Sequence, residues 1–329
     1  MDVLAAKAHL APDEIDELLA LVAAVESSTG HPPLSDQSRL ALQRHGEQPD
    51  GCLAVVPIRD DHELVGFAQV SPSSGGWTLD TVWAGHEQPS DDLLADVVRA
   101  ALGELATSRG SDGDAGRITW WRDGDTTGAV ESTLGFELDR ELLQMRRPLP
   151  VDPAAPGSTV TISTRSFVPA ADEDAFLTVN NRAFADHHEQ SGWTHETVAS
   201  REAESWFDPD GFLLLELDDR LAGFCWTKVH PADGHDDALG EIYVIAVDPD
   251  FAGRGLGKQL TLAGLDHLAR IGITTAMLYV DADNVSAVAM YDRLGFHVHS
   301  STKAFSRRLR PTDATSLPSS AIQKDQRSS

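Results

Sequence analysis

Three short landmarks recur along the 329-residue chain at nearly constant separation, and a chain that repeats itself in this way is built from two copies of one plan. Leu64-Val65-Gly66-Phe67 answers to Leu221-Ala222-Gly223-Phe224, Leu134-Gly135-Phe136 to Leu294-Gly295-Phe296, and Arg146-Arg147 to Arg307-Arg308. The first of these follows an acidic turn in each copy and reads as a hairpin closing between two core strands. Between the copies, Pro148 to Gly157 carries four prolines and almost no periodic apolar signal, as a linker does. The expected division is a first domain over 1–147, a linker over 148–158, a second domain over 159–310 and a polar, disordered tail over 311–329.

Within the first copy the pattern predicts a helix near Asp13 to Val25, strands near Leu53 to Pro57, Leu64 to Val70 and Trp77 to Trp83, a helix from about Ser90 to Thr107, and closing strands near Ile118 and Leu138. The second copy predicts a strand near Val160 to Ser166, a helix near Asp172 to Phe184, and strands near Leu213 to Leu217 and Gly223 to Val229. A strand from Glu241, a helix from about Arg254, a strand over Met277 to Val280 and a helix over Asn284 to Arg293 follow. Strands alternating with helices give an α/β class, each copy a mixed central sheet flanked by helices.

Acidic residues outnumber basic ones 52 to 26, and the net charge of −26 opposes nucleic acid and anionic membrane surfaces as partners. No apolar run has the length to span a bilayer, and the start of the chain lacks the basic and hydrophobic regions of a signal peptide, so a cytoplasmic protein is expected. Cys52 and Cys225 each sit in strand-like apolar surroundings, which favours buried packing over a nucleophile or ligand. The run His187-His188-Glu189 invites a metal reading, but adjacent histidines point apart and no second ligand motif follows, so no metal is expected.

The segment from Glu241 to Lys258 carries the strongest chemical signal. Ile242 to Val247 is wholly apolar or aromatic, as in a strand buried on both faces, and Asp248-Pro249 stops it. Gly253, Gly255 and Gly257 then open a helix whose Leu256, Leu260 and Ala263 share an apolar face. Glycines let backbone N–H groups approach an anion, the helix start adds its unpaired N–H groups, and Arg254 and Lys258 add formal charge. The spacing fits neither G-x-G-x-x-G nor a P-loop, since Gln259 follows Gly-Lys. In the first copy the same place reads Ala84-Gly85-His86-Glu87-Gln88-Pro89-Ser90-Asp91-Asp92, where carboxylates would repel phosphates.

The glycine turn is similar to that of the GNAT acetyltransferases, and the acyl transfer from a thioester to an amine that this resemblance implies needs an amine-binding or proton-accepting group, oxyanion donors and an acid for the thiolate. Glu241 is the only carboxylate of its strand and suits the first task; a solubility charge at a strand edge is the plainer alternative. The backbone N–H groups of Ile245, Ala246 and Val247 suit the second, and Tyr291 the third, with a core tyrosine as its alternative. Asn284 reads as an N-cap. Tyr279 alternates with Leu278 and should face away from it, toward substrate or sheet. Carboxylate, amide and ammonium groups near aromatic residues, in Trp226 to His230 and Asn180 to Trp193, suit a sugar polyol.

The glycine turn resembles the pyrophosphate loop of GNAT acetyltransferases, R/Q-x-x-G-x-G/A, with Ala252 in place of the usual Gln or Arg. Asn180 to Trp193, Trp206 to Gly211, Trp226 to His230, Gly240 to Val244, Leu278 to Asn284 and Gln144 to Leu149 together resemble the mycothiol synthases, a tandem-GNAT family of actinobacteria, over nearly the whole chain. The resemblance implies acetyl transfer from acetyl-CoA to the cysteinyl amine of a cysteine–glucosamine–inositol conjugate, by a monomer without metal. It implies substrate contacts at Asp36, where the family can have Glu, and at Glu189, Lys228, Glu241 and Tyr279, with Glu241 and Tyr291 catalytic. Acetyl-CoA is expected along Ile245, Ala246 and Val247, along Ala252, Gly253, Arg254, Gly255, Leu256, Gly257 and Lys258, and along Asn284, Val285, Ser286, Ala287, Val288 and Ala289. The acidic first-copy turn puts a second coenzyme site there in doubt. A tandem GNAT enzyme for a peptide or aminoglycoside amine, or a non-catalytic acetyl-CoA sensor, shares part of this pattern.

Overall fold

The computed structural model describes residues 2–7, 9–29, 33–44, 54–73, 76–85, 89–109, 116–152, 154, 158–185, 192–232, 237–310 and 312–313. Its elements in chain order are β1 (Asp2–Val3), α1 (Pro12–Thr29), α2 (Asp36–Arg44), β2 (Ala54–Asp60), β3 (Glu63–Ser73), β4 (Gly76–Trp83), α3 (Asp91–Arg109), β5 (Arg117–Asp123), α4 (Ala129–Thr133) and β6 (Glu137–Pro148). They continue as β7 (Arg165–Ser166), α5 (Glu173–Ala183), α6 (His195–Glu202), β8 (Phe212–Leu217), β9 (Arg220–His230), β10 (Leu239–Val247), α7 (Leu256–Arg270), β11 (Thr275–Asp281), α8 (Val285–Arg293) and β12 (His297–Arg308).

Two compact units form, but not at the boundaries expected from the linker. One comprises Met1–Glu141 with Thr302–Ser329, the other Leu142–Ser301. Backbone pairing is the reason. The Leu142–Pro148 part of β6 pairs with β11 of the second unit, and the Thr302–Arg308 part of β12 pairs with β5 of the first. Each copy's last strand therefore completes the sheet of the other copy. The linker also begins later than Pro148, which ends β6, and Leu149 N–H donates to Thr274 O at 2.8 Å.

In the first unit the strand order is β1-β2-β3-β4-β5-β12, mixed because β4 and β5 run parallel. Its α3 face buries Val56, Leu79, Val98, Leu102 and Trp120, and its α1 face buries Leu18, Val22, Val55 and Phe67. The second unit runs β6-β11-β10-β9-β8-β7, with β10 and β11 parallel. Along β9 the pleat sends Cys225 into the core that holds α7, and Phe224 and Trp226 to the opposite face under α5, while a register shift against β8 at Ala222 turns that residue to the α7 side as well. There Phe212 stacks on Trp226 with centroids 4.3 Å apart, and Phe176 meets Phe224 edge-on at 4.8 Å. The strand expected over Val160 to Ser166 is only Arg165–Ser166, and α2, α4 and α6 have no counterpart among the predicted elements. Among the described residues no helix is long and apolar enough to cross a membrane.

Candidate active site

Strands β9 and β10 run antiparallel, with Glu241 directly opposite Lys228 and Leu239 opposite His230. Partners opposite one another share a face, and so do residues two apart. Glu241, Lys228 and His230 accordingly converge. Glu241 is only 7% exposed, and its Oε2 lies 2.7 Å from His230 Nε2. A carboxylate so enclosed would be costly without a donor, and the half-buried imidazole supplies one. Lys228 Nζ sits over the rings of Trp206 and Tyr243, at 4.8 and 5.5 Å from their centroids. Arg201 Nε in turn donates to Tyr243 Oη at 3.1 Å.

The sheet opens at this point. Among the described residues β10 pairs with β11 only from Leu239 to Glu241, and a register shift between Ile242 and Val244 bends β10 away. Beyond Glu241 the β11 side of β10 keeps backbone N–H and C=O groups without a strand partner, which a bound ligand can use. On β11, Tyr279 stands 47% exposed, the reverse of its buried neighbour Leu278. Burial pushes its phenol above the ordinary tyrosine value, with the charge of Glu241 adding to the effect.

After Val247 the chain turns tightly. Buried Asp248 accepts from Asp250 N–H at 2.9 Å and from Arg182 Nη1 at 2.8 Å, while Asp250 also binds Arg220 Nη2 at 2.7 Å. These pairs brace the entry to the glycine turn. Gly253 and Gly255 take φ values of +77° and +75°, and a Cβ added to either would meet nothing within 4 Å. The turn thus presents open backbone, Gly255 serves as N-cap of α7, and exposed Arg254 lies over Phe251 at 5.1 Å. That combination of left-handed glycines, helix N-terminus and cation suits a pyrophosphate. Asn284 is the expected N-cap: its Oδ1 accepts from Ala287 N–H at 3.2 Å, and Val285 stands exposed at the start of α8. Tyr291 is 6% exposed, edge-on to Phe296, and burial pushes its phenol well up.

The family model described as Acetyltransferase (GNAT) family matches residues 180–296. Curated mycothiol acetyltransferases are similar over far more of the chain. That of Thermobispora bispora is 40% identical over 291 residues, covering 87% of this chain and 93% of its own. That of Streptomyces coelicolor is 41% identical over 301 residues, covering 89% and 91%. The chain belongs to the mycothiol acetyltransferase family. It is an acetyl-CoA-dependent N-acetyltransferase with two GNAT copies, and solved structures agree on the fold. A GCN5-related N-acetyltransferase from Sphaerobacter thermophilus superposes with a TM-score of 0.67 at 21% identity, covering 93% of this chain and 96% of that one. A tandem GNAT protein from the clavulanic acid biosynthesis pathway gives 0.57 at 17% identity, covering 94% and 98%.

For this mycothiol acetyltransferase relative, Lys228, Glu241 and Tyr279 lie in one part of the second unit, as do the turn from Ala252 to Lys258 and the start of α8. Asp36 begins α2 in the first unit, Glu189 falls outside the described residues, and so do His187, His188 and Cys52. Part of the acidic first-copy turn, 86–88, is also outside them. Cys225 is fully buried, and desolvation pushes its thiol up to about 12, too high for a nucleophile. Sequence reasoning gave no role to His230, Trp206, Tyr243 or Gln144. For His230 a signal existed: it stands two residues after Lys228 in a strand, hence on the same face.

Proposed function

We propose that this chain transfers the acetyl group of acetyl-CoA to the cysteinyl amine of the cysteine–glucosamine–inositol conjugate, giving mycothiol and CoA in the last step of mycothiol biosynthesis. The observation that supports this most is the Glu241–His230 pair, held where β10 parts from β11, on the strand that leads into the glycine turn. His230 occupies Oε2 of Glu241, which leaves Oε1 for an ammonium.

The amine has an ordinary pKa of about 7.7 to 8, so little is needed to deprotonate it. Glu241 binds the ammonium and takes its proton, directly or through a water, and the neutral nitrogen attacks. The N–H groups of Ile245 to Val247, on the open side of β10, polarise the thioester carbonyl. The turn from Ala252 to Lys258 holds the pyrophosphate, with Arg254 and Lys258 offsetting locally a molecule that is strongly anionic overall. Residues Asn284 to Ala289 line the coenzyme arm. Tyr291, its phenol held protonated by burial, hands a proton to the thiolate as charge forms there. Lys228 and Tyr279 contact the sugar and inositol hydroxyls.

Chromatographic measurement of CoA and acetylated product tests the proposal, with the conjugate, glucosamine–inositol lacking the cysteinyl group, and an aminoglycoside as competing amines. Turnover is expected with the conjugate alone, and Glu241→Gln should lower kcat/KM by about 100-fold. No turnover of the conjugate above background would sink the reading.

A further inference from the structure

Gln144 lies in the Leu142–Pro148 strand, directly opposite Tyr279 on β11. It is 5% exposed, so its amide has little access to water. Arg146 Nε donates to Gln144 Oε1 at 2.8 Å, and Gln144 Nε2 lies 2.8 Å from Tyr279 Oη. An amide can usually be turned end for end without altering the fit, but here it cannot. An arginine has donors only, so the end of the amide facing Arg146 must be the oxygen. The nitrogen then faces Tyr279, whose Oη must accept. A phenol that accepts from the amide has its own proton left to give elsewhere.

We infer that Gln144 and Arg146 act as positioning residues that fix Tyr279 as a hydrogen-bond donor, so that the substrate group meeting Tyr279 is an acceptor oxygen, a hydroxyl or amide carbonyl, and not an ammonium. The inference rests on the reading that Tyr279 contacts the amine substrate. It assigns a specificity role to a strand that the sequence places in the other copy. An amine placing a second cation at Tyr279 would meet the positive edge of the O–H bond and be disfavoured, while a polyol or amide is accepted.

Gln144→Glu reverses the polarity. The carboxylate still accepts from Arg146 but now also captures the Tyr279 proton in a charge-assisted hydrogen bond. In the full-length protein KM for the conjugate should rise about tenfold, with KM for acetyl-CoA unchanged. Gln144→Met, which only removes the amide, should raise it about threefold. In a Tyr279→Phe background neither change should have any further effect. If Tyr279→Phe raises KM but Gln144→Glu does not, or if Gln144→Glu costs as much with Phe at 279, the inference is overturned while the contact at Tyr279 stands. If Tyr279→Phe leaves KM unchanged, both fall. Gln144→Met keeps the test open should the glutamate variant fail to fold.

Discussion

Asp80 and Glu241 show how one carboxyl side chain serves two ends. Asp80, in β4, stands opposite Gln69 of β3, as Glu241 in β10 stands opposite Lys228 of β9. Glu241 has an imidazole at Oε2; Asp80 has a hydrogen bond from Ser38 and is otherwise desolvated, which pushes its carboxyl up to about 6. Gln69 Nε2 donates to Ser38 O at 2.8 Å, and Ser38 and Ser71 share a hydrogen bond, so this polar cluster is closed over by α2. Folded Asp80 holds its proton more tightly than unfolded Asp80. Its contribution to stability is therefore fully present below the ordinary carboxylate value of 3.8 and is lost as pH rises to about 6. Above that, the first unit carries a cost on the order of 3 kcal/mol. Asp80→Asn should remove most of it. Calorimetry should find the variant more stable than the parent at pH 7.5, with the difference gone near pH 4; an equal difference at both values would refute the assignment.

At the scale of elements, Gly66 and Gly223 of the first landmark pair have a common physical cause. A Cβ on Gly223 would lie 2.6 Å from Ala246 O, and one on Gly66 would lie 2.8 Å from Val82 O. In each copy the third strand crosses so close to the fourth that a methyl group meets backbone, which cannot turn aside as a side chain tip can. Gly223→Ala should thus cost about 2 kcal/mol and spread β9 from β10, seen as a lowered melting temperature together with a raised KM for the amine. A variant as stable as the parent would show that the strands can yield. These strands were readable because their apolar runs and turn residues agree. So was the local geometry from Glu241 to Lys258, where strand, stop, glycines and helix follow in one local order. Residues joined only by pairing were not readable: Gln144 meets Tyr279 across 135 positions of sequence, and no periodicity within either strand announces it. Elements such as α6, short and polar on most of its surface, lack the apolar stripe by which a helix is recognised.

For the whole molecule the exchanged strands matter most. A prolyl stretch between two similar halves suggests a cut near residue 148, yet such a cut takes Leu142–Pro148 from the unit it completes and exposes the edge of β11. A fragment spanning 142–301 should unfold cooperatively, while one spanning 158–310 should aggregate or melt without a sharp transition. Paired thermal melts and light scattering on the two fragments would decide, and equal behaviour would mean that β6 contributes little to the second unit.

The same exchange sets an order on the ribosome. The first unit starts to emerge before the second, but β5 has no outer neighbour until Thr302–Arg308 is made, after every strand of the second unit. The second unit, begun later, has all its strands by Ser301. The half that is born last is thus the first to be finished, and the older half must wait with an open sheet edge while the newer one closes, a period in which the cell's chaperones have most reason to attend to it.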